Sequence, residues 1–284
     1  MSVPKRVKEI DYGAFVNVAV DTKTADSLLR KRSVDSVLAA ADAYEAAAAA
    51  ADVASAAALR LKAADALCTA MRIRGHGNIL VLDDTSGAIA TLDTPENKKF
   101  WGKHGPRALS LVRAAREARA PLRAGALAAV TEMEAFMYAA ASKGILQQAL
   151  TGAGSTYLKL ANELASKHPQ HDDSCGNGFL GGFYGVAPWP LGDKKRALRE
   201  FETAFKSAPT SRMNGYHACL LRLQLGDAAG AVKVCESALR SARCDHAPKP
   251  RDFCSFLTDQ TERVLASAKA RTAAVTGVRE SRDA

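Results

Sequence analysis

The side chains of this sequence with the clearest capacity for chemistry are basic. Lys98, Lys99, Lys103, Arg107, Arg113, Arg116, Arg119 and Arg123 fall in one stretch, opposed there by Glu117 alone. On a continuous helix, turning about 100° per residue, Arg113, Arg116, Arg119 and Arg123 cover roughly a third of the circumference. Such a face is either simply solvated or a stripe that meets an acidic partner: a peptide, an anionic lipid or a nucleic acid. Aromatic residues offer a second candidate. Phe100, Trp101, Phe183, Tyr184 and Trp189 could line a groove for an apolar ligand or a peptide helix. Trp189 stands between two prolines and suits a surface anchor, while core packing is the alternative for Phe183 and Tyr184.

Catalytic constellations are absent from the sequence. It has no Gly-x-x-x-x-Gly-Lys-Ser/Thr loop, no Gly-x-Ser-x-Gly elbow and no His-Glu-x-x-His helix. Thr151-Gly152-Ala153-Gly154-Ser155 could offer backbone N–H groups to an anion, but it lacks a P-loop lysine, so the favoured reading is a plain turn with an N-cap. His168 and His171 flank Pro169, and Asp83-Asp84 and Asp172-Asp173 are acidic pairs of the kind that turns and caps use routinely. The expectation is a protein that is not an enzyme and holds no cofactor or metal.

Six cysteines complete the inventory. Cys68, Cys219 and Cys235 sit at helical core spacing and read as buried thiols. Cys244 and Cys254 flank the Pro-rich link Asp245 to Pro250, where a disulfide would staple the last two helices in an oxidising compartment.

The elements that position these residues are helical. The composition favours Ala, Leu and Arg over aromatics, and 284 residues can bury a large core. One pattern is written twice. Leu191-Gly192-Asp193, Ala197, Phe201 and Ala204 return 34 residues later as Leu225-Gly226-Asp227, Ala231, Cys235 and Ala238. A period of about 34 with small, large, small residues is a tetratricopeptide signature. The small residues let helices approach, the large one fills the groove, and Gly-Asp turns the chain and caps the next helix. Ala40, Tyr44 and Ala47 repeat the spacing, as do Ala108, Val112 and Ala115.

The predicted architecture is therefore all-α, a tetratricopeptide-like helical-repeat array (an α-solenoid) over residues 21–272, clearest over 178–243. Residues 1–20 form an irregular arm, and 273–284 a disordered tail. An insertion at 75–96, where Ile79-Leu80-Val81-Leu82 precedes turn residues, predicts a loop or short hairpin. Gly105-Pro106 and Ser155 read as helix starts, one helix is expected from Pro121 to Ser142, and the last from about Arg251 to Ala270. The glycines in Phe179-Leu180-Gly181-Gly182-Phe183-Tyr184 predict tight packing.

The formal net charge is +9, but acidic residues are interleaved along most of the chain and the compositions of RNA readers are missing, so nucleic acid is disfavoured. No stretch approaches the roughly 20 apolar residues of a membrane span. The basic N-terminus is not followed by a hydrophobic segment, which predicts a cytoplasmic protein, or a plastid or mitochondrial one where a targeting peptide is absent from this chain.

Phe179 to Tyr184, then Val186-Ala187-Pro188-Trp189-Pro190-Leu191-Gly192-Asp193-Lys194-Lys195, Ala197-Leu198 and Phe201, resembles a family of tetratricopeptide-like proteins. That family includes the T-component of tripartite ATP-independent periplasmic (TRAP) transporters, the regulator of microtubule dynamics proteins and uncharacterised algal and plant relatives. The resemblance spans roughly Ser33 to Ala270 and is specific over Phe179 to Pro209. It implies a helical array without catalysis. Two functions follow as expectations: a scaffold binding a protein or peptide, with Arg113, Arg116, Arg119, Arg123, Trp101 and Trp189 as contact residues, or a carrier with a small-ligand pocket in the array.

Overall fold

A computed structural model describes residues 22–83, 85–144, 152–241 and 251–283. The irregular arm predicted for residues 1–20 lies outside them. Twelve α-helices account for most of the described chain: α1 (Lys23–Lys31), α2 (Val34–Ala49), α3 (Val53–Arg74), α4 (Pro95–Ala118), α5 (Ala120–Ala124), α6 (Ala126–Ala141), α7 (Ala153–Lys167), α8 (Cys175–Val186), α9 (Lys194–Ser207), α10 (Arg212–Gln224), α11 (Ala228–Ser241) and α12 (Arg251–Asp283). Each helix packs against the next along the chain, with α4 also directly against α6 and α10 against α12.

Local chemistry explains many of the boundaries. Ser33 and Ser36 form a reciprocal capping box at the start of α2. Asp52 accepts from the N–H groups of Ala54 and Ser55 to open α3. Thr94 caps α4, which carries Pro95 in its first turn, and Asp193 caps α9. Asp227 accepts from the N–H of Gly230 at 2.8 Å. The repeated positions point inward as their spacing requires: Ala197, Phe201, Ala204, Ala231, Cys235 and Ala238 are all buried, as are Ala108, Val112 and Ala115.

The insertion is a two-stranded antiparallel hairpin, β1 (Val81–Leu82) with β2 (Ile89–Ala90), in register Val81 to Ala90 and Leu82 to Ile89. A 3₁₀ turn, His76–Asn78, leads into it. The hairpin is fastened to helices far along the chain. The Tyr216 hydroxyl donates to the Leu80 carbonyl at 2.8 Å, and Gln224 Nε2 donates to the Gly87 carbonyl at 2.7 Å.

Several boundaries differ from expectation. Gly105-Pro106 does not restart a helix, since α4 runs through Pro106. A proline inside a helix costs about 3 kcal/mol, but α4 buries Trp101, His104, Ala108 and Val112 on both sides of it. Gly125, with extended backbone, divides the helix expected from Pro121 to Ser142. Helix α7 begins at Ala153 behind Gly152, whose φ is 68°, and Ser155 lies inside it with its hydroxyl donating back to the Gly152 carbonyl. The last helix extends to Asp283 where a tail was expected from 273.

Candidate functional site

Helix α8 has two faces with opposite duties. Leu180, Gly181 and Tyr184 are buried against neighbouring helices. Cys175, Gly178, Phe179, Gly182, Phe183 and Val186 line a cavity of about 480 Å³. Their spacing of three and four residues is a single helical stripe. At about 1.5 Å per residue it extends on the order of 16 Å along the cavity. The volume falls in the range of small-molecule sites, about 300–1,000 Å³.

The glycines explain why there is space. A methyl group added at Gly176 would stand 2.4 Å from the Ala165 nitrogen, and one at Gly181 would stand 2.8 Å from the Phe201 ring. At Gly178 and Gly182 it would meet nothing within 4 Å. The tight packing expected of these glycines therefore holds for Gly176 and Gly181, while Gly178 and Gly182 present bare backbone to the cavity.

Other walls come from distant segments. The insertion contributes Asn78, Ile79, Leu80, Thr91 and Asp93. Helix α7 contributes Tyr157, whose ring lies 5.3 Å from that of Phe183 and whose hydroxyl donates to the Phe179 carbonyl at 3.2 Å. Phe201, Met213, His217 and Phe253 line it from α9, α10 and α12. Among the lining residues, Gly152, Ser155, Pro188 and Leu191 are exposed.

Toward the N-terminal end of α8 the lining turns polar, with Arg72, Glu134 and Asp172. Arg72 Nε donates to Glu134 Oε1 at 3.1 Å, and its Nη2 donates to Oε2, so the carboxylate is held along one edge of the guanidinium. Burial works against the Arg72 charge, but Glu134 outweighs it and keeps the group protonated. At the insertion, Asp93 accepts from Thr91 at 2.5 Å and pairs with Lys98 at 3.0 Å. The cavity thus combines an apolar body with a few placed polar groups, which is the chemistry of ligand retention.

The residues singled out from sequence fare differently. Trp101 is fully buried, its ring 5.4 Å from Tyr138, and stands in the core instead of on a contact surface. Trp189 is 91% exposed, beside the cavity-lining Pro188. The four arginines do not share one helix face, because α4 ends at Ala118 and Arg119 has extended backbone. Arg113 pairs with Glu132 at 3.0 Å, and Arg116 binds Glu132 and, at 3.0 Å, Glu163. Arg123 donates to the carbonyls of Arg116 and Glu117. Much of the predicted stripe is thereby committed to holding α4, α5, α6 and α7 together.

Cys219 and Cys235 are buried as expected but bonded to each other, joining α10 to α11 with their Cα atoms 5.4 Å apart. Neither Cys68 nor Cys175 is part of a disulfide. Of the pair Cys244 and Cys254, Cys254 is disulfide-bonded and Cys244 lies outside the described residues. Among the described residues, no group of three His, Cys, Asp or Glu could hold a metal ion, and no helix is long and apolar enough to cross a membrane.

The sequence reading offered a ligand pocket in the array and a groove that included Phe183, which does line the cavity, but it did not place the cavity on the α8 stripe. Its signal was present in the alternation of Gly and Phe along one stripe of α8, which puts bulk and absence of bulk on the same face. No known family model matches the chain, and no curated protein matches it.

Proposed function

We propose that this chain is a non-enzymatic carrier of a small, largely apolar ligand held between α8, α7 and the hairpin insertion. The observation that carries the reading is the 480 Å³ cavity with bare backbone at Gly178 and Gly182. Its floor coincides with the stretch resembling the TRAP transporter T-component family. That coincidence also supports a tetratricopeptide-like repeat body, in which the paired helices after Trp189 back the pocket. The insertion then serves as part of the binding face. The Cys219–Cys235 bond favours an oxidising compartment over the cytosol.

Binding of the neutral dye Nile red, followed by fluorescence, tests the reading together with mass spectrometry of the natively purified protein. Wild type should bind the dye in a saturable way, and Gly182→Leu, which fills the cavity, should bind it at least tenfold more weakly. Absence of dye binding and of any co-purifying molecule, or equal dye binding by the variant, overturns it.

A second reading is a scaffold for a protein or peptide. It rests on the exposed Trp189 and the neighbouring Leu191, 47% exposed, as an apolar anchor. A peptide partner would bind with Trp189→Ala impaired and Gly182→Leu unaffected. The reverse pattern supports the carrier. An acidic partner would also weaken as salt rises, whereas an apolar ligand would not.

A further inference from the structure

We infer that the turn joining α8 to α9 docks on an anionic membrane surface, with Trp189 entering the headgroup region and Lys194 and Lys195 meeting the lipid phosphates. The role rests on the carrier reading above, because a carrier of apolar ligands collects them from the phase in which they dissolve. Trp189 is 91% exposed and Leu191 47%, with exposed Pro188 and Pro190 on either side of the indole. The turn is braced from within. The N–H groups of Leu191 and Gly192 donate to the Pro188 carbonyl at 2.9 and 3.1 Å, and that of Asp193 donates to the Tyr184 carbonyl at 2.9 Å. The indole therefore stands out as a convex tip. Such a tip enters a fluid headgroup layer, where Trp is favoured, whereas a folded partner would need a pocket made to receive it.

Charge fits the same partner. Between Ala187 and Arg196 the chain carries three cations against Asp193 alone. Asp193 accepts from the Arg196 N–H, and the Arg196 guanidinium lies 4.0 Å from the centre of the Tyr184 ring. Lys194 and Lys195 are exposed and have no ion-pair partner among the described residues. Their place is unfavourable for the fold, since cations in a first helical turn oppose the macrodipole, and α9 has no acidic residue there. The second copy of the turn, Leu225-Gly226-Asp227, continues with Ala228-Ala229, so the turn itself does not require lysines. An aromatic tip or a lysine pair alone holds a membrane only marginally, and together they give weak, reversible attachment. Pro188 and Leu191 also line the cavity, so docking brings the ligand site to the bilayer.

The test is co-flotation with vesicles of phosphatidylcholine alone and of phosphatidylcholine mixed with phosphatidylserine. Wild type should float with the anionic vesicles at low salt, come off as salt rises, and show blue-shifted Trp emission when bound. Trp189→Ala and Lys194→Glu/Lys195→Glu should each weaken the attachment roughly tenfold or more. Lys31→Glu/Lys206→Glu makes the same change in net charge at exposed lysines on α1 and at the far end of α9, and should leave attachment within about twofold of wild type. Lys194→Glu/Lys195→Glu should melt no lower than wild type, since it puts acids where the helix dipole favours them. Without vesicles, both turn variants should bind Nile red as wild type does. Wild type that floats with neither vesicle or equally with both, a turn variant that attaches like wild type, or equal loss in the two lysine variants overturns the docking and leaves the carrier reading intact. Anionic vesicle binding by a wild type that takes up no Nile red in vesicle-free buffer overturns the carrier reading and leaves the docking surface.

Discussion

Gly181 lies so close to Phe201 that a methyl group on it would come within 2.8 Å of the ring, while the adjacent Gly182 faces open space. Two neighbouring glycines of one helix are thus absences of a side chain for opposite reasons. Gly181 lets α9 approach, and Gly182 keeps the cavity empty.

That contrast sets the first prediction. Gly181→Ala overpacks a closed contact and should lower stability by about 1–3 kcal/mol. Gly182→Ala adds helix propensity without a clash and should raise stability by about 0.5–1 kcal/mol. Urea midpoints of the two variants should fall on opposite sides of wild type.

The Cys219–Cys235 bond closes a loop with a sequence separation of 16. A closed loop of that size restricts the unfolded chain by about 3 kcal/mol. The double variant Cys219→Ala/Cys235→Ala should lose about 2–4 kcal/mol in unfolding experiments. Its Tm should also shift less with added reductant than that of wild type.

The Arg72–Glu134 pair is largely buried on both sides. Removing one partner leaves an uncompensated charge, so Glu134→Ala should cost about 3–5 kcal/mol. Arg72→Met/Glu134→Leu removes both charges and should cost much less than Glu134→Ala. A double-mutant cycle by chemical denaturation measures the difference.

Acidification should destabilise the fold through its histidines. Burial is the leading cause that holds the pKa values of His76, His104 and His171 below the ordinary histidine value. The unfolded chain then takes up protons first, near pH 6.5, so stability is fully present above that pH and declines as pH falls through it. Tm should be lower at pH 5.5 than at pH 7.5. His76→Asn, which tolerates the left-handed backbone at that position, should give a shallower dependence.

The two tryptophans differ enough to be separated by fluorescence. Trp101 is fully buried and Trp189 is 91% exposed. Acrylamide should quench Trp189 and leave Trp101 nearly untouched, so Trp189→Phe should abolish most of the quenching. Ligand entry past Pro188 and Leu191 should shift the emission of wild type and not of this variant.

Much of the helical framework was determined by the sequence itself. Caps and small-large-small spacings act within a few residues, so Ser33, Asp52, Thr94, Asp193, Ala197, Phe201 and Ala204 could be placed without knowing their neighbours. The all-α class and the hairpin position followed from the same local rules. Only the tertiary structure decided what each helix face meets. Arg113 and Arg116 read as a free basic face until Glu132 and Glu163, on other helices, were brought beside them. Trp101 read as a groove residue until α6 placed Tyr138 beside it. Cys219 and Cys235 read as separate thiols until α10 and α11 packed side by side. The cavity depended most on tertiary structure, because an unfilled volume exists only between segments. Gly178 and Gly182 have the same local chemistry as Gly176 and Gly181, and which of them meets a neighbour depends on how α7 and α9 dock against α8 and where the hairpin comes to rest.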